Sequence, residues 1–228
     1  GRPRRSPGSL NRPSSAPVAA LALGAGVTWN ITNVGAVADP LATAYGTSLA
    51  TIGLFTTALF VTHLLAQVPA GRAADRVGAR RVGLISVAAV VAGNLLALAT
   101  PDPVLALAAR ALVGIGSGAG FVAGAEYMRA ARSSPLFQGV YGGATMAGGG
   151  LALAVVPQLD DPLGWRGPYW SALAVALACA AVLLAAPADA REARHERRRV
   201  SVLRDRRLYP LGALHAASFG LSVIAGNW

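Results

Sequence analysis

The chain has 228 residues, 54% of them hydrophobic and only 13% charged, with 20 Lys+Arg against 10 Asp+Glu and a formal net charge of +10. A soluble domain carries roughly 25% charged residues, so this chain has too little charge to cover a water-exposed surface, and its hydrophobicity excludes disorder. The single cysteine, Cys179, excludes a disulfide scaffold; the basic residues stand in clumps between long apolar runs, which excludes a nucleic-acid-binding face.

A basic tail, residues 1–17 with Arg2, Arg4, Arg5 and Arg12, precedes the first apolar run at 18–37. That run resembles a cleavable signal peptide ending at Ala36-Val37-Ala38, but it is longer than the usual ~7–15 residue apolar region, and Asn30 and Asn33 interrupt it. After Asp39 comes a second run, 49–68, carrying His63 and Gln67 at i and i+4. A basic joint with Arg72, Arg76, Arg80 and Arg81 leads to a third run, 82–100. Asp102 precedes the fourth, 104–125, which contains Arg110, the one charged side chain in any of these runs. Arg129 and Arg132 separate it from a glycine-rich fifth run, 136–159. Asp160, Asp161 and Arg166 precede the sixth, 168–186. The longest polar stretch, 187–207, is dense in arginine and reads as a surface linker, partly helical. A seventh run, 208–228, has no closing polar flank, so the sequence reads as part of a longer protein.

Each run approaches the roughly 20 residues that cross a 30 Å hydrocarbon core, and none shows the recurrent polar face of a soluble amphipathic helix. They are predicted as transmembrane helices. Of the 20 basic residues, all but Arg110 and Arg166 fall before the first run or in alternate joints, whereas the other joints hold Asp39, Asp102, Asp160 and Asp161. The positive-inside rule then predicts a cytoplasmic N-terminus in a multi-pass cell-membrane protein.

The joint Gly71-Arg72-Ala73-Ala74-Asp75-Arg76-Val77-Gly78-Ala79-Arg80-Arg81 resembles the signature loop of the major facilitator superfamily, G-x-x-x-D-R-x-G-R-R/K. Gly71, Asp75, Arg76, Gly78 and Arg80 match, and Ala79 departs from the pattern, with Arg80 or Arg81 as the substitute base. Arg110 followed by Gly114, Gly116, Gly118, Gly120 and Gly124 resembles the family's fourth-span R-x-x-x-G-x-G pattern. Gly164-Trp165-Arg166-Gly167-Pro168-Tyr169-Trp170 resembles the start of its sixth span, with aromatics expected at the membrane interface. The loosely similar fifth span lacks the antiporter Gly-Pro step. The resemblance covers essentially the whole chain. It implies an all-α membrane protein: a six-helix N-terminal bundle at 18–186, a cytoplasmic linker at 187–207 and an incomplete seventh helix at 208–228.

Several residues carry candidate chemistry. Asp75 can accept hydrogen bonds from a helix N-terminus; in the family the aspartate caps a helix of the second half when the carrier is open outward. Glu126, 16 residues or roughly 24 Å along the helix from Arg110, is expected to meet Arg76 or Arg80 as a gating ion pair. A guanidinium inside the membrane is costly unless it faces water or a partner. Arg110 therefore reads either as a substrate or proton-coupling group or as a side chain snorkelling to the outer interface. Trp29, Asn30 and Asn33 lie in the first span, and two readings stand side by side: substrate contacts, as the resemblance implies, or interhelical hydrogen bonds. Gly116, Gly120 and Gly124 stack at i, i+4 and i+8 as a smooth packing ridge.

The absence of metal-ligand spacing, a G-x-S-x-G elbow or a Walker loop predicts no metal, no cofactor and no enzyme. The expected activity is secondary active transport of a small solute by rocking of two bundles around a midplane site, with the lipid bilayer, the solute, a coupling proton or ion and a C-terminal bundle as partners. The alternatives are a drug/proton antiporter of the same superfamily and a membrane-embedded enzyme or scaffold. The absence of a mid-membrane acid disfavours cationic drugs, and Arg110 favours a neutral or anionic solute.

Overall fold

The computed structural model describes residues 15–132, 134–187, 206 and 208–227. Residues 1–14 of the expected tail, and residues 188–205 and 207 of the expected linker, lie outside the described residues. Helices are the only extended secondary structure among them: α1 (Ala16–Thr32), the short α2 (Ala38–Ala44), α3 (Leu49–Val77), α4 (Ala79–Leu98), α5 (Pro103–Ala131), α6 (Pro135–Val155), the one-turn α7 (Asp160–Leu163), α8 (Gly167–Ala185) and α9 (Leu208–Asn227). Four stretches are long and apolar enough to cross a membrane: Leu49–Val77, Ala79–Leu98, Pro103–Ala131 and Pro135–Ala185, the last holding α6 and α8 with the bend between them.

Local chemistry sets the helix ends. Ser48 caps α3 by accepting from the Thr51 amide at 3.3 Å, and Asp102 caps α5 by accepting from the Leu105 amide at 2.7 Å. Pro103 and Pro135 stand at the first helical positions, where an N–H would have no partner anyway. Gly78, at φ +94°, is the single residue between α3 and α4; a β-carbon would clash with the backbone there.

Within the bundle, α5 packs between α3 and α4, while α1 packs on α5, α6 and α8, and α4 also meets α8. α9 approaches α1 and α6. Glycines make the closest approaches possible. A β-carbon on Gly114 would fall inside the Leu59 carbonyl of α3, and one on Gly118 inside that of His63. Gly116 and Gly120 instead meet Ser86 and Val90 of α4, and Gly124 meets the Tyr141 ring of α6. The expected single ridge is thus divided between neighbours.

Candidate functional site: a buried arginine centre

α1 and its C-cap Asn33 turn Trp29, Asn30 and Asn33 into the bundle, and α5 brings Arg110 to them. Arg110 is 0% exposed, so it does not snorkel to the interface. Its terminal nitrogens donate to the Asn30 carbonyl at 2.5 Å and to Asn33 Oδ1 at 3.4 Å. No carboxylate is among these partners; the positive charge is met by backbone and amide dipoles of α1. Arg110 Nε has no hydrogen-bond partner among the described residues, nor does Asn94 Oδ1.

Asn94 of α4 completes the centre, donating through Nδ2 to Asn30 Oδ1 and to the Val90 carbonyl, both at 2.9 Å. Asn30 Nδ2 donates to the Gly26 carbonyl, which fixes the orientation of both amides: turning Asn94 over would set its oxygen against two acceptors. Asn33 Nδ2 donates to the Pro168 carbonyl of α8 at 2.9 Å, and Trp29 Nε1 to Ser171 Oγ at 3.2 Å. Apart from the Gly26 bond, the hydrogen bonds of Trp29, Asn30 and Asn33 named here join α1 and its C-cap to α4, α5 and α8.

The end of α2 closes one side. Tyr45 and Tyr169 share a hydrogen bond at 3.0 Å, with the Phe55 and Trp165 rings edge-on to Tyr45. Burial, and next the neighbouring Tyr169, hold the Tyr45 phenol above its ordinary range, with Arg110 pulling the other way. Tyr45 therefore serves as a neutral hydrogen-bonding group. Tyr169 is 0% exposed, not at a lipid interface as the sequence suggested; Trp170 is the exposed one. Asn94, Ser171 and the tyrosine pair were not anticipated. Asn94 had one visible signal: a primary amide in an otherwise apolar run.

At the opposite end of the bundle lies the signature joint. Arg80 donates through Nε to the Leu183 carbonyl and through Nη2 to the Leu184 carbonyl, both at 2.7 Å. These carbonyls belong to the last turn of α8, where the helix dipole favours a cation. Glu126, expected opposite Arg76 or Arg80, forms an ion pair with Arg129 one turn along α5; the three-residue spacing puts both on one face. Asp75, Arg76 and Arg81 are exposed. Gly71 has room for a β-carbon, with Val122 at 3.7 Å, so in this joint the need for glycine lies in the positive φ of Gly78 and not in close approach at Gly71. Beside Arg80, the Tyr127 hydroxyl donates to the Pro187 carbonyl at 2.5 Å, just beyond α8.

The Major Facilitator Superfamily model matches residues 18–226, so the chain belongs to that superfamily and is a multi-pass membrane protein of a transporter family. No curated protein sequence matches it.

Proposed function

We propose that this chain moves a small solute by secondary active transport, its helices forming one of two bundles that rock about a midplane site. The observation that carries this reading is the Arg110 centre: a fully buried guanidinium with no carboxylate partner among the described residues, held where α1, α4 and α5 meet. A charge there is expensive, and intramembrane ionisable groups mark substrate or ion pathways. The uncompensated positive charge supports a neutral or anionic solute, with proton or ion coupling. The signature loop would act at the other end, where Arg80 fastens it to the end of α8.

The testing experiment is uptake by vesicles holding the carrier that contains this chain. With an imposed proton or sodium gradient, at least one solute of a mixed pool should accumulate above its outside concentration, and an ionophore should abolish the excess. Uptake that only equilibrates under every gradient would leave facilitated diffusion and remove the secondary active reading.

Orientation is open to a separate measurement. The basic joints support a cytoplasmic N-terminus in the cell membrane. Asp39 and Asp161, like Arg81 and Arg132, are exposed, so cysteines are tolerable at all four. Asp39→Cys and Asp161→Cys should react with an impermeant thiol reagent on intact cells, and Arg81→Cys and Arg132→Cys only after lysis. The reverse pattern would invert the topology.

A further inference from the structure

A cavity of about 250 Å³ opens between the 3-10 turn Gly35–Val37, the start of α2 and the first turns of α3, at the end of the bundle away from the signature joint. None of its described lining residues belongs to the arginine centre, although Gly35 follows Asn33 by only two positions. The α3 wall is the stretch 49–57, with Gly53 at its middle; Gly35 and Ala38 stand on the other wall. These small residues leave the space between the two walls unfilled.

The described lining holds no charged side chain. α9 approaches the same turn, and residues 208–228 contain no Asp, Glu, Lys or Arg. Arg110 is enclosed and does not line the space. An ion entering here would give up its hydration with no counter-charge in return. One polar group is nonetheless on offer. Thr57 and Thr62 of α3 each donate to the carbonyl four residues back, at 3.0 and 2.9 Å, the usual course for a threonine within a helix. Thr56 lines the cavity, and its hydroxyl makes no hydrogen bond to any described residue.

We propose that this cavity is a solute subsite for a small uncharged molecule with an apolar body and one hydroxyl or carbonyl group, the polar group meeting the Thr56 hydroxyl and the body packing on Leu49 and Ile52. A cavity of ~150 Å³ holds benzene, so this one has room for about ten non-hydrogen atoms. This rests on the transport reading and narrows its solute from neutral or anionic to neutral. A carboxylate of the same length would fit the space and find no cation in it.

Ala50 lines the cavity and is exposed, which makes it a reporter position. In membranes holding the carrier that contains this chain, Ala50→Cys should react with N-ethylmaleimide, read by peptide mapping. 1-Hexanol should slow that reaction, and hexanoate at equal concentration should not. Leu95→Cys, on the exposed face of α4 at the same end of the bundle, reports simple partition into the bilayer, and hexanol should leave its labelling unchanged. Adding Thr56→Val to Ala50→Cys keeps the shape and removes the hydroxyl. The hexanol concentration for half-protection should then rise about 2- to 12-fold, the range of one neutral hydrogen bond. No labelling of Ala50→Cys, equal protection by hexanol and hexanoate, equal slowing at the two cysteines, or unchanged half-protection with Thr56→Val would overturn the subsite. Because labelling is read without transport, protection in vesicles that accumulate nothing would sink the transport reading and leave the subsite. Accumulation without protection would do the opposite.

Discussion

Gly118→Val should be among the most damaging single changes in the bundle. The β-carbon of residue 118 would overlap the His63 carbonyl oxygen and lie 2.9 Å from its Cα. Those are backbone atoms of α3, so no rotamer change relieves the contact and the helices must part. Overpacking of this kind costs about 1–3 kcal/mol. Parting the helices also strains the Thr62 hydroxyl bond to the Ala111 carbonyl and the His63–Ser117 bond, at 2.8 and 2.9 Å. Gly142→Ala supplies the contrast. Its added β-carbon meets nothing within 4 Å, and exchanging glycine for alanine in a helix is worth up to ~1 kcal/mol in the favourable direction. Thermal or denaturant unfolding in detergent should therefore move in opposite directions for the two variants. Equal small effects would mean that α3 and α5 do not touch at Gly118.

The helices were legible in the charge-free runs because a bilayer demands uniform apolarity over a known length. Their ends were less so. The second run stops at Val68 by composition, yet α3 continues to Val77 through Arg72, Asp75 and Arg76. Charge marks where a helix leaves the apolar layer, whereas Gly78 and its positive φ mark where it stops. The first run was read as continuous to Val37, but α1 ends at Thr32 and a 3-10 turn follows at Gly35–Val37; no proline or glycine stands at the break itself. The seven-residue α2 was hidden in a polar joint.

The arginine centre was legible as single residues and not as an assembly. Arg110, Asn30 and Asn33 each stand out as polar groups in apolar surroundings. Which helix meets which depends on packing that one-dimensional periodicity does not carry, so neither their junction nor the part played by Asn94 and Tyr169 could be read in advance. The expected Glu126 pairing used sequence position alone. It did not foresee the pair that Glu126 makes with Arg129, three residues away on the same helix.

Arg110→Met should leave the bundle folded and remove its transport. The stability side follows from opposed magnitudes. An interhelical hydrogen bond in a membrane averages about 0.6 kcal/mol and reaches roughly 1.7, and Arg110 makes two across to α1. Placing an arginine at the centre of a membrane helix costs about 2.5–3.5 kcal/mol. The cost matches or exceeds the return, so an apolar side chain of similar length should be neutral or mildly stabilising, as apolar replacements of buried ionic groups often are. A residue with no net benefit to the fold is then accounted for by what its charge does during the cycle. If that coupling is worth about 1–3 kcal/mol, transport should fall about 5- to 150-fold. Arg110→Lys keeps the charge but not the planar fork, and one ammonium cannot reproduce both bonds, so its transport should lie between the two. Transport rates at equal surface expression, read beside unfolding midpoints, separate the outcomes. Large destabilisation of Arg110→Met would make Arg110 a brace between α1 and α5, and full activity in a stable Arg110→Met carrier would remove the centre from the mechanism.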